Sequence, residues 1–134
     1  MAAGSEQRFV QQLKRGVLEM LVLQLLADRP GHGYELIVRL RESGGLLDVK
    51  EGTLYPLLYR LEEEGCITSV WNSPDGPDAP ARLPRRVYSI TEDGRTVLAR
   101  ERAVWQRFAG TVEQYLSGGA PGKEKKKITG TPPR

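Results

Sequence analysis

Residues able to ligate a metal or attack an electrophile are scarce, with His32 and Cys66 each the only one of its type. A single thiol cannot close an internal disulfide, and one imidazole beside one thiol falls short of the four ligands of a zinc site. No carboxylate pair, glycine-rich phosphate loop or nucleophile–base spacing accompanies them, which argues against an enzyme and implies neither metal nor cofactor. Richer in possibilities are the cations and hydroxyls that could meet a polyanion. Lys50, Thr53, Tyr55 and Arg60 fall close together, Tyr34 precedes them, and Arg82, Arg85 and Arg86 cluster further on. Guanidinium groups grip phosphate oxygens in a planar fork, and hydroxyls reach phosphates or base edges. A solvated helix face and an ordinary polar loop are the plainer alternatives for the same residues.

The chain that must position these groups has 134 residues, 39% hydrophobic and 28% charged, the balance of one soluble domain. Its longest apolar stretch, Val17 to Ala27, is interrupted by Glu19 and Gln24, whereas a membrane span needs about 20 apolar residues. The first residues also lack the order of a secretory signal, so a cytoplasmic location is expected, with no membrane partner. The net charge of +3 is misleading: residues 118–134 alone carry +4, leaving −1 for the preceding 117. Any electrostatic footprint in the folded part must therefore come from clustering.

Apolar periodicity predicts the elements. Phe9, Leu13, Val17, Leu21 and Leu25, flanked by Val10, Leu18, Val22 and Leu26, predict a helix over 8–27 whose apolar face is wider than one small core absorbs. The Arg29–Gly33 stretch stops it. A short helix over 33–42 and a third over 51–64 follow, the last with Leu54, Leu57, Leu58 and Leu61 inward and Pro56 in its first turns, where a missing donor is expected to cost little. Tyr59 is expected near that core stripe. Two strand-like runs, 66–71 and 86–90, flank a loop holding four of the nine prolines, predicting a hairpin. Thr91 can cap a final helix over 92–116, roughly 37 Å long. Its overhanging apolar stripe predicts contact with a second copy. Cys66 is expected to be a buried small hydrophobe.

Helix, helix, helix, hairpin is the order of a winged helix-turn-helix. The segment Glu51-Gly52-Thr53-Leu54-Tyr55-Pro56-Leu57-Leu58-Tyr59-Arg60-Leu61-Glu62-Glu63-Glu64-Gly65 resembles the recognition-helix signature of the PadR family of bacterial transcriptional regulators. Gly31-His32-Gly33-Tyr34-Glu35-Leu36, Arg85-Arg86-Val87-Tyr88-Ser89-Ile90-Thr91-Glu92-Asp93-Gly94 and the final helix with its tryptophan resemble the family in the same order, over residues 10–116. Val87 and Ser89 stand where similar proteins carry more basic or aromatic residues, so the wing's grip on phosphate would rest on Arg82, Arg85 and Arg86.

The resemblance implies a mainly α fold of the α+β winged-helix kind. A three-helix core with a two-stranded β wing would occupy 8–91, a long C-terminal dimerisation helix 92–117 and a basic flexible tail 118–134. It further implies a homodimer, joined through helices 8–27 and 92–116, that represses transcription by binding a palindromic operator in double-stranded DNA through helix 51–64 and wing 67–90. The expected DNA contacts are Tyr34, Lys50, Thr53, Tyr55, Pro56, Arg60, Arg82, Arg85 and Arg86, and the resemblance favours this role over plain solvation for Thr53, Tyr55 and Pro56. At Trp105, with Phe108 and Val104, two readings stand open: a site for a small hydrophobic or aromatic effector between subunits, and a tryptophan packed in the dimer core. A winged-helix module that binds a protein partner instead of DNA is the alternative class, and a salt titration on duplex DNA separates the two.

Overall fold

The computed structural model describes residues 2–72 and 84–119. Its elements are α1 (Ala2–Asp28), β1 (Gly31–His32), α2 (Gly33–Arg41), α3 (Glu51–Glu63), β2 (Ile67–Asn72), β3 (Arg85–Ile90) and α4 (Glu92–Leu116). α1 starts six residues before the predicted position because the preceding residues are mostly good helix formers and include no proline. The loop between β2 and β3, with Arg82, and the lysine run of the tail lie outside the described residues.

The chain divides into two compact units after Leu98. In the first, the four-residue spacing of α1 delivers Leu18, Val22 and Leu26, with Leu23, into a core shared with Leu36, Ile37 and Leu40 of α2 and Leu54, Leu58 and Leu61 of α3. Ile67 and Tyr88 close the core from the sheet, Leu98 from α4, and Cys66 is buried as expected. The apolar stripe of α1 continues toward its start, but Phe9 and Leu13 are left 60% and 55% exposed.

Polar contacts fix the angles between these elements. The Glu35 carboxylate accepts from the His32 backbone N–H at 3.0 Å, covering a donor at the start of α2 and placing negative charge at its positive end. Arg39 donates to the Leu25 carbonyl at 3.2 Å and pairs with Asp28 at 3.6 Å, tying α2 to the end of α1. Lys14 donates to the Asp48 carbonyl, joining α1 to the approach of α3. Pro56 is the sixth residue of α3, past the four amides that lack an intrahelical partner, so contrary to expectation it removes an interior hydrogen bond, the one to the Gly52 carbonyl. The helix runs on through it to Glu63.

The sheet has three antiparallel strands in the order β1-β3-β2. Gly31 and His32, which read in sequence as a helix stop, also pair with Tyr88 and Val87 of β3 and extend the two-stranded wing at its root. In the β2–β3 register Ile67, Ser69 and Trp71 face Ile90, Tyr88 and Arg86. Since strand side chains alternate, these six share the face whose root is the core. Thr91 caps α4: its Oγ1 accepts from the Gly94 N–H at 3.0 Å and donates toward the Gly65 and Cys66 carbonyls. A Cβ on Gly94 would lie 2.0 Å from the Cys66 carbonyl oxygen, so this junction requires glycine.

In the second unit, from Ala99, the described residues form the remainder of α4 and a short turn. Val104, Trp105, Phe108, Val112, Tyr115 and Leu116 are exposed along it.

Candidate nucleic-acid interface

α3 turns its apolar residues inward and so decides what faces outward. With Leu54, Leu58 and Leu61 fully buried, 3.6 residues per turn put Gly52, Pro56, Tyr59 and Glu63 at the centre of the opposite face, and all four are exposed. Thr53 and Arg60 flank that stripe on one side and Tyr55 on the other. Tyr59, expected near the core stripe, is instead 67% exposed. Its spacing of three from Pro56 and seven from Gly52 carried that information.

The predicted site residues divide by environment. Lys50 is the N-cap of α3, exposed and extended. Tyr34 is exposed in the first turn of α2. Tyr55 leans back onto that same turn: a Cβ on Gly33 would lie 2.5 Å from its ring and hydroxyl. Burial, and secondarily Glu51, pushes its phenol above the ordinary value of 10.0. Tyr55 is therefore a packing residue between α3 and α2 as well as a partly exposed hydroxyl. Arg60 bonds Glu19 of α1 at 3.1 Å and Glu64 at 3.4 Å. The bond to Glu19 is the main reason its guanidinium is held above the usual range. It braces α3 against α1 with half of its side chain open to solvent.

The wing supplies two described arginines. Arg85 donates from Nη1 to His32 Nε2 at 3.1 Å, and since a guanidinium only donates, the imidazole nitrogen is the acceptor. Arg86 turns to the other face, donating from Nε to Ser69 Oγ at 2.8 Å, pairing with Glu62 at 3.5 Å and stacking 5.6 Å above the Trp71 ring. Beneath it, burial raises the Tyr88 phenol above 10.0, opposed by Arg86 and reinforced by Glu62 and Tyr55. Neither the link from Glu62 to the wing nor the His32–Arg85 contact has a signal in local sequence, since partners 24 and 53 residues apart meet only through packing.

The exposed stripe of α3, the α2 turn beside it and a cationic hairpin thus belong to one compact unit. Residues 22–100 match the profile of the Transcriptional regulator PadR-like family. The chain belongs to that family. The PadR-like match spans α2, α3 and the sheet, together with α1 from Val22 onward and the start of α4. The transcriptional regulator Rv3488 of Mycobacterium tuberculosis is 33% identical over 103 residues, covering 77% of this chain and 89% of that protein. A PadR family regulator from Eggerthella lenta has a similar structure, with a TM-score of 0.74, 33% identity and coverage of 89% of this chain and 100% of its own. A PadR-like regulator from Bacillus cereus gives a TM-score of 0.67 at 31% identity, over 80% of this chain and 98% of its own.

PadR regulators bind DNA and are not enzymes, and the fold is the winged helix-turn-helix expected from the sequence. Among the described residues no helix is long and apolar enough to cross a membrane, and no group of three or more His, Cys, Asp or Glu could hold a metal ion.

Proposed function

We propose that this PadR-like chain is a cytoplasmic, homodimeric repressor that binds a palindromic operator, with α3 in the major groove and the wing on the adjacent backbone. Two such helices related by a twofold axis would meet half-sites roughly 10 bp apart, or a multiple of that. Thr53, Pro56 and Tyr59 would approach base edges. Tyr34, Tyr55, Lys50, Arg60 and the wing arginines Arg82, Arg85 and Arg86 would mainly position the protein on phosphates. Dimerisation is assigned to helices 8–27 and 92–116, followed by the tail from residue 118.

The observation that carries the dimer is apolar surface left in water: Phe9 and Leu13 on α1, and Val104, Trp105, Phe108, Val112 and Tyr115 on α4. Burying a large apolar side chain is worth roughly 1.5–3 kcal/mol, so two stripes of this kind are a strong drive to self-association. Trp105, with Val104 and Phe108, would line the subunit interface, where a flat hydrophobic effector could stack and shift the spacing of the two reading helices. Sedimentation equilibrium together with footprinting upstream of the protein's own gene tests this function. A dimer protecting a palindrome is expected. A monomer at micromolar concentration that protects nothing would overturn it.

A further inference from the structure

Of the two described wing arginines, Arg86 is the one held by an acid from the recognition helix. Arg86 Nε donates to Ser69 Oγ at 2.8 Å, Ser69 Oγ donates to Glu62 Oε2 at 2.7 Å, and Arg86 Nη2 reaches Glu62 Oε1 at 3.5 Å. Trp71 supports one face of the guanidinium at 5.6 Å. The Arg86 side chain is nonetheless 44% exposed and that of Glu62 28%. An ion pair this exposed holds weakly, so a phosphate can take the place of the carboxylate. A phosphate reaching Arg86 would then lie within roughly 7 Å of the Glu62 carboxylate, close enough to feel like-charge repulsion.

We propose that Glu62 is a built-in competitor for Arg86, a brake that lowers the wing's affinity for nucleic-acid phosphate and sets the salt concentration at which the protein lets go. This rests on the DNA-binding reading above and adds to it a residue that tunes affinity without contacting the nucleic acid. The brake acts through charge. Glu62→Gln removes the charge but keeps a carbonyl oxygen able to accept from Ser69.

The test is fluorescence anisotropy of the full chain with a random-sequence duplex several helical turns long, titrated between about 50 and 200 mM salt. Glu62→Gln is expected to bind roughly three- to tenfold more tightly at the lower salt, with a salt slope steeper by up to about one per protomer. In an Arg86→Ala background the same substitution should gain less than about twofold. Glu62→Asp, which keeps the charge, should stay near wild type, and thermal unfolding of each variant establishes that it is folded. Folded Glu62→Gln binding no tighter than a DNA-binding wild type would overturn the brake alone. An equal gain without Arg86 would do the same, because Glu62 would then act as general surface charge. If neither wild type nor any variant binds the duplex, the DNA-binding reading falls and the brake with it.

Discussion

The winged unit up to Leu98 and the run of α4 beyond it use apolar residues at the same helical spacing to opposite ends. In the winged unit, stripes from α1, α2 and α3 meet one another and close over Ile67 and Tyr88, so its large core residues are almost wholly out of water. Beyond Leu98 the spacing continues through Val104, Phe108, Val112 and Tyr115, but within one chain these side chains stay exposed. Amphipathicity states that a face will be covered, not by what. A stripe inside a closed unit reports on folding, whereas a stripe left exposed in the single chain is free to serve the association proposed above.

That contrast can be broken most forcefully from the core side. Leu58→Ala should cost about 2–5 kcal/mol in urea unfolding, because Leu58 is fully buried in the core that α1, α2 and α3 share. Phe108→Asp should leave the winged unit's circular dichroism intact but weaken self-association by roughly 30-fold or more, about 2 kcal/mol, in sedimentation equilibrium. If Phe108→Asp unfolded the protein as thoroughly as Leu58→Ala, the two regions would not differ in kind. Gly94→Ala probes the start of α4, which lies inside the winged unit. Its Cβ would fall 2.0 Å from the Cys66 carbonyl, so the start of α4 must shift, at a cost of about 1–3 kcal/mol in thermal unfolding.

The smallest effect expected is a pH dependence confined to the winged unit. Burial raises the phenols of Tyr88 and Tyr55 above 10.0. The native state therefore keeps these protons when the unfolded chain has begun to release them. Their contribution to stability is complete below the ordinary tyrosine value and is lost as pH climbs through the raised native values. Melting temperatures taken between about pH 8 and 11 should fall at the alkaline end, and less steeply in Tyr88→Phe.

How much of the site was legible depended on the range of the signal. The ends of α3 and α4, the Thr91 cap and the inward leucines follow from spacing of three or four residues and from capping chemistry, so they stand within a residue of the prediction. Tyr59 was within reach of the same periodicity, since an exposed Gly52–Pro56–Tyr59 stripe is the complement of Leu54–Leu58–Leu61. The pairing of β1 with β3 was not, because two residues carry no strand pattern and Gly31 reads equally well as a turn.

By itself, the order and periodicity of the residues determined the helices, the hairpin, the winged-helix class and the surplus of apolar surface on the two longest helices. Each of these rests on interactions along one helix or strand, or on the area of a face. Only the tertiary structure decided that Tyr55 packs over Gly33, that Arg60 braces Glu19, and that Arg86 is shared among Ser69, Trp71 and Glu62. Those partners are far apart along the chain, and the strength of a charge depends on which opposite charge the packed core brings within a few ångströms.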